Sequence, residues 1–131
     1  MFDTDICIYL LNGKALPVES KLRELPKSKV AVSAITCAEL HYGALHSANP
    51  ENNIKRVRTF LAPLCCVPFG DEAAALFGRI QQDLAAAGTP IGTMDLLIAA
   101  TAISTGACLV TNNRKEFKRV KSLNLADWPI F

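Results

Sequence analysis

Apolar positions in this chain follow two rhythms. Residues 1–3, Lys29–Val32, Leu64–Val67, Ala107–Val110 and Leu123–Ala126 are short, mostly apolar runs of strand length. Between them lie segments with helical spacing and helix punctuation. Thr4 opens a helix through Ile6, Ile8, Tyr9, Leu10 and Leu11 that Gly13 ends. Pro17–Leu25 reads as a short amphipathic helix stopped by Pro26, and Ser33 is placed to cap the helix that runs to Leu45. Asn49-Pro50 begins another, to about Leu61. A longer helix spans Asp71 to Ala87, with acids in its first turn and Gly88 beyond its end. The helix carrying Asp95 closes near Gly106, and Arg114–Val120 makes a last short one.

Strands alternating with helices predict an α/β fold, with a mostly parallel central sheet of four to five short strands covered on both faces. In such sheets, sites gather beyond the carboxyl ends of the strands. Asp3 ends the first strand, Glu39 follows the second by about two helical turns, and Thr111-Asn112-Asn113 follows the fourth. Three separated stretches can therefore converge on one edge.

Asp3, Glu39 and Asp95 each interrupt a segment that otherwise reads as core. Each has an ordinary explanation. Asp3 can cap the helix that starts at Thr4, and Asp95 sits in a first turn where Thr93 is a candidate N-cap. Glu39 is harder to place on a solvated face, because Ile35, Ala38 and Tyr42 draw an apolar stripe and Glu39 lies at its margin. Buried unpaired carboxylates are costly, so three acids brought together would need a cation. The natural one is a hard divalent metal, and its natural work is phosphate chemistry. Mg²⁺ prefers oxygen ligands at about 2.0–2.1 Å and keeps several waters, so a few carboxylates suffice.

Composition narrows the field. The chain has 131 residues, half of them apolar and one in five charged, which suits a single domain over 1–131 that buries its own core. No apolar stretch approaches the ~18–20 residues needed to cross a membrane. Phe2-Asp3 places a charge where the basic start of a signal peptide would stand, so a cytoplasmic location with no membrane association is expected. The five cysteines (Cys7, Cys37, Cys65, Cys66, Cys108) show no Cys-x-x-Cys spacing and are read as buried free thiols in apolar surroundings. Neither zinc nor disulfides are supported. His41 and His46 are five apart on one helix and are read as surface residues. There is no Ser-His-Asp or Cys-His arrangement and no Gly-rich phosphate loop. Net charge is only +2, but five of the fourteen basic residues fall in Arg114–Lys121 and three more are Lys55, Arg56 and Arg58. A charge run is ordinarily a solvated helix face; the first of these adjoins the candidate site, where it would meet phosphates.

These residues resemble a family. Met1-Phe2-Asp3-Thr4-Asp5-Ile6-Cys7-Ile8-Tyr9-Leu10 looks like the opening of the PIN-domain ribonuclease toxins of the VapC type. Ser33 to Ala44, Pro90 to Ala100, Leu109 to Val120 and the closing Leu125-Ala126-Asp127-Trp128 continue the resemblance in order across essentially the whole chain. It implies a PIN-like α/β/α sandwich in which Asp3, Glu39 and Asp95 are catalytic and bind Mg²⁺, with Mn²⁺ as a substitute. Thr4, Asp5, Thr111, Asn113 and Glu116 would be auxiliary to that site, and Arg114, Lys115, Lys118 and Arg119 would contact RNA. The resemblance further implies a metal-dependent endoribonuclease acting as the toxin of a type II toxin–antitoxin pair, a homodimer neutralised by a cognate antitoxin protein. The Thr-Asn-Asn-x-x-Glu-Phe ending looks like that of members cutting initiator tRNA in the anticodon loop. Two departures stand out. Asp5 replaces the Asn usual in the family's opening, and Asn113 is an amide where the family often has a fourth acid.

Two other readings compete. Phe2-Asp3-Thr4-Asp5 also resembles the Asp-x-Asp nucleophile motif of haloacid-dehalogenase-type phosphatases, with Leu109-Val110-Thr111-Asn112 mimicking their second motif. That family then needs a lysine and a late acidic pair, and the twenty residues after Thr111 contain Glu116 and Asp127 with no adjacent pair, so the order fails. A non-catalytic PIN-like module that binds RNA or a partner would be favoured by a missing acid, yet all three principal acids are present.

Overall fold

The computed structural model, which describes Met1–Phe131, is organised around Phe2, the central position of a narrow parallel sheet. Phe2 forms parallel bridges to Val32 on one side and Val110 on the other, and Leu109 bridges to Leu125. β1 (Ala31–Ser33) and β2 (Cys65–Val67) pair in parallel, Val32 opposite Cys66. Across the sheet the order is therefore Leu125, Leu109–Val110, Phe2, β1, β2. All five expected segments are present in parallel, but only two are regular strands. The segments at Phe2 and Val110 are cut short because the chain turns away immediately after them. Asp3 is already the N-cap of a helix, and at Thr111 the chain turns as its hydroxyl accepts the Asn113 N–H.

The pleat sends alternate residues to opposite faces. Met1 and Leu109 enter one core, and Phe2, Val32 and Val110 enter the other. The second core is covered by α1 (Thr4–Leu11), α2 (Leu16–Glu24), α3 (Ala34–Leu45) and α4 (Pro50–Leu61). The first is covered by α5 (Asp71–Ala86), α6 (Thr93–Ser104) and α7 (Arg114–Phe117). No helix is long and apolar enough to cross a membrane.

Local chemistry explains the helix ends. Ser33 Oγ accepts the Thr36 N–H at 3.0 Å, and Asn49 Oδ1 accepts the Asn52 N–H at 3.3 Å with Pro50 in the first turn behind it. Gly13 and Gly88 stop α1 and α5 at φ 65° and 69°, a conformation that disfavours residues with a Cβ. Three details depart from the sequence pattern. Lys29, read as the first residue of a strand, instead closes a 3₁₀ turn over Lys27–Lys29, and the regular strand begins at Ala31. Thr93 is the first helical residue and not a cap; Gly92 holds the cap position without a side-chain bond. Finally, α7 ends at Phe117 and tightens into three-residue bonds, Arg119 N to Glu116 O and Val120 N to Phe117 O, so that Phe117 and Val120 both enter the core.

The cysteines also differ from expectation. Only Cys7 is buried; Cys37 is half-buried, and Cys65, Cys66 and Cys108 are exposed. Cys65 and Cys66 lie on β2, the edge strand, whose outer side no strand covers. The Cys37 and Cys66 sulfurs approach to 3.2 Å, and burial is the main cause that pushes the Cys37 thiol up to about 12.

Candidate active site

Asp3 lies where the sheet order reverses, between the neighbours reached through β1 and those reached through Val110, the position at which α/β sheets place their ligands. The residue is 3% exposed. Oδ1 accepts the Ile6 N–H at 2.9 Å, which caps α1, and Oδ2 accepts the Thr111 hydroxyl. The capping role weighed from sequence is therefore real, and it orients the acid without using every lone pair. Burial raises the Asp3 carboxyl to about 6; the bonds from Thr111 and Ile6 oppose the rise, while Asp5 and Asp95 add to it.

Glu39 stands about a turn and a half into α3, half-buried, and its Oε1 accepts from Thr4 Oγ1 at 2.7 Å. The apolar stripe that flagged it belongs to another surface than the core. Ala38 and Tyr42 are exposed, and with Ile35 they wall an open cleft; Thr36, Leu40 and Ala44 face inward. His46 is exposed and stacks on Tyr42 at 5.6 Å, and His41 is half-buried.

Asp95 is in the first turn of α6 but caps nothing. Its Oδ2 accepts from Asn113 Nδ2 at 3.2 Å, and the same amide nitrogen donates to Glu116 Oε2 at 3.1 Å. Burial raises the Asp95 carboxyl, the Asn113 bond opposes this, and Glu116, Asp5 and Glu39 push it higher. Asp5 is exposed on α1 and lines the same cleft.

Asp3, Thr4, Asp5, Glu39, Asp95 and Asn113 thus share a cleft of about 670 Å³, with Ile8, Tyr42 and Met94 as exposed apolar parts of its wall. No lysine or arginine lines it, and the chain's single salt bridge, Arg23–Glu19, is on α2. The carboxylates have no protein counter-ion. Their all-oxygen donor set is that of a hard divalent cation. No three acids stand close enough to form a direct cage by themselves. The arrangement fits a hydrated ion, because Mg²⁺ keeps several waters and needs one or two direct carboxylates.

The basic run leaves this cleft rather than lining it. Arg114 Nη1 donates to the Ala126 carbonyl and Arg119 Nη1 to the Pro90 carbonyl, both at 2.7 Å. Lys115 and Lys118 are exposed.

The profile of the family described as PIN domain matches residues 1–123. The chain belongs to the PIN-domain family. Among curated relatives, this PIN domain is 41% identical to Ribonuclease VapC2 of Haemophilus influenzae, an alignment covering 98% of the chain and 96% of the relative. It is 38% identical, with the same coverage, to the tRNA(fMet)-specific endonuclease VapC of Shigella flexneri. Among solved structures it superposes on a chain of VapBC2 from Rickettsia felis, crystallised with a DNA fragment from the promoter, with a TM-score of 0.91, 37% identity and 98% of each chain covered. At these identities and coverages this PIN domain lies within the VapC ribonucleases.

Sequence reasoning missed Ser33 and Thr36 as neighbours of the acids in this PIN domain. Thr36 is fully buried and its hydroxyl lies 3.1 Å from Thr4 Oγ1. The available signal was a hydroxyl three residues before Glu39 within an apolar run.

Proposed function

We propose that this PIN domain is an endoribonuclease, the toxin of a type II toxin–antitoxin pair acting in the cytoplasm, with Asp3, Glu39 and Asp95 holding Mg²⁺ or Mn²⁺. One observation carries the reading: acids from three separate segments line one cleft at the strand-order reversal, with no cationic side chain among them. When bound, the ion supplies a hydroxide nucleophile near neutral pH and offsets charge on the scissile phosphate. The protein's part is orientation. Ile6 and Thr111 fix Asp3, Thr4 fixes Glu39, and Asn113 joins Asp95 to Glu116. Lys115 and Lys118 follow the RNA backbone away from the cleft, while Arg114 and Arg119 hold the last turns in place.

The substrate within this reading is tRNA. The Shigella flexneri relative is named for tRNA(fMet), and the Thr111-Asn112-Asn113 and Glu116-Phe117 ending carries the same likeness. The protein partner is an antitoxin. A groove of about 250 Å³ between α1, α3 and α4, walled by Ile8, Leu11, Leu40 and Val57, shares Ile8 and Glu39 with the acidic cleft. An amphipathic helix laid along it would bring an Arg or Lys to the acids.

The reading is tested by incubating the purified chain with total cellular RNA, with Mg²⁺ or with EDTA, and sequencing new 5′ ends. A single dominant cut that needs the metal is expected. Undamaged tRNA alongside cleaved messenger RNA would refute the tRNA substrate, and equal cleavage in EDTA would refute the metal.

A further inference from the structure

Thr36 is a buried threonine that does not behave like one. A threonine inside a helix ordinarily returns its hydroxyl to the carbonyl four residues back, as Thr101 does to Leu97 at 2.7 Å. Thr36 instead contacts two other hydroxyls, Ser33 Oγ at 3.3 Å and Thr4 Oγ1 at 3.1 Å. Thr4 Oγ1 in turn lies 2.7 Å from Glu39 Oε1. The four side chains form one line from the start of α3 to the acidic cleft.

The direction of that line is set at both ends. Ser33 Oγ accepts the Thr36 N–H at 3.0 Å, which leaves the Ser33 proton for Thr36 Oγ1. At the far end an ionised carboxylate can only accept, so the Thr4 proton goes to Glu39. Thr4 Oγ1 then offers a lone pair, and the Thr36 proton points to it. Every donor faces Glu39, and hydrogen bonds aligned head to tail polarise one another. Ser33 and Thr36 are both 0% exposed, so water does not compete for their protons.

We infer that Thr36 is a positioning residue for Glu39, acting through Thr4 to hold the carboxylate in the orientation that binds the divalent cation. The inference rests on the metal reading of the cleft. A purely local role, closing the first turn of α3, would need only the Thr36 N–H and would be indifferent to the hydroxyl.

The test is Mn²⁺ binding to the full chain without RNA, followed by calorimetry, for wild type, Thr36→Val and Thr36→Ser. Valine keeps the shape and removes the hydroxyl; serine keeps the hydroxyl. Loss of one bond in a chain ending on a charged group should weaken Mn²⁺ about tenfold in Thr36→Val, with Thr36→Ser near wild type. The link through Thr4 predicts non-additivity: in a Thr4→Val background, Thr36→Val should change Mn²⁺ affinity less than about twofold. If Thr36→Val fails to fold, Thr36→Ala set against Thr36→Ser makes the same comparison. Equal Mn²⁺ affinity in folded Thr36→Val and wild type would overturn the positioning role alone. Additive losses from Thr4→Val and Thr36→Val would overturn the chain, and no Mn²⁺ binding by wild type would overturn the metal reading beneath it.

Discussion

Asn113 and Asp95, eighteen positions apart in sequence, meet through one amide nitrogen, 3.2 Å from Asp95 Oδ2 and 3.1 Å from Glu116 Oε2. Both acceptors are carboxylates, so the nitrogen side of the amide must face them, and an amide nitrogen carries the two protons this needs. Asn113 thereby ties α6 to α7 at the acidic cleft. An aspartate there would place a further carboxylate against two others.

Asn113→Asp should therefore lower the stability of the protein in EDTA by about 1–2 kcal/mol, from two lost bonds to charged groups discounted for partial exposure. Added Mn²⁺ should recover more stability in the variant than in wild type, because the variant has one more acidic ligand to neutralise. Paired thermal melts check both. A variant as stable as wild type in EDTA would show that the amide carries no such role.

A pH dependence arises from Asp3, whose carboxyl is raised from 3.8 to about 6 by burial. The folded state holds this proton more tightly than the unfolded chain does. Its stabilising contribution is complete below pH ~4, is lost as pH rises through ~6, and amounts to about 2–3 kcal/mol. In EDTA, the stability difference between wild type and Asp3→Asn should shift against wild type across that window and level off above it. Asn keeps the capping oxygen for Ile6, so the helix start is common to both proteins. A difference that stays flat from pH 4 to 7 would contradict the assignment.

The basic run divides by structure into anchors and free cations. Arg114 and Arg119 each bind a backbone carbonyl, whereas Lys115 and Lys118 are exposed. Lys115→Ala with Lys118→Ala should leave the melting temperature unchanged and weaken RNA binding by an uncleaving variant across all sequences. Each lost phosphate contact should flatten the dependence of log K on log salt by about 0.7 for a single strand. An unchanged slope would place the RNA elsewhere. Arg119→Ala should instead cost roughly 1 kcal/mol of stability through the freed Pro90 carbonyl.

Much of this was legible in the chain because burial and capping leave local signatures. The Ser33, Asn49-Pro50 and Gly13 boundaries reflect backbone groups that any helix end must satisfy, and the structure has them in place. The three acids stood out because each broke an apolar run. What the sequence hid depends on through-space neighbours. Ala38 and Tyr42 read as core by spacing, but nothing in α3 itself says that the space beside them is a cleft. Cys65 and Cys66 read as buried because a strand's place at a sheet edge is decided by the other strands. The Ser33–Thr36–Thr4–Glu39 line joins two helices and could not be seen from either.

The central claim is that Asp95 serves a metal and not merely a helix turn. Asp95→Asn keeps the shape and keeps a carbonyl oxygen for the Asn113 amide, so a structural role alone predicts little change. The measurement is paired thermal melts of wild type and Asp95→Asn in EDTA and in Mg²⁺, with RNA cleavage followed on the same preparations. The variant should melt no lower than wild type in EDTA, since removing one of several mutually repelling carboxylates relieves strain. It should lose most of the Mg²⁺-dependent rise in melting temperature, and its cleavage should fall by orders of magnitude. An Asp95→Asn protein that keeps both its Mg²⁺-dependent rise and its cleavage rate would contradict the account.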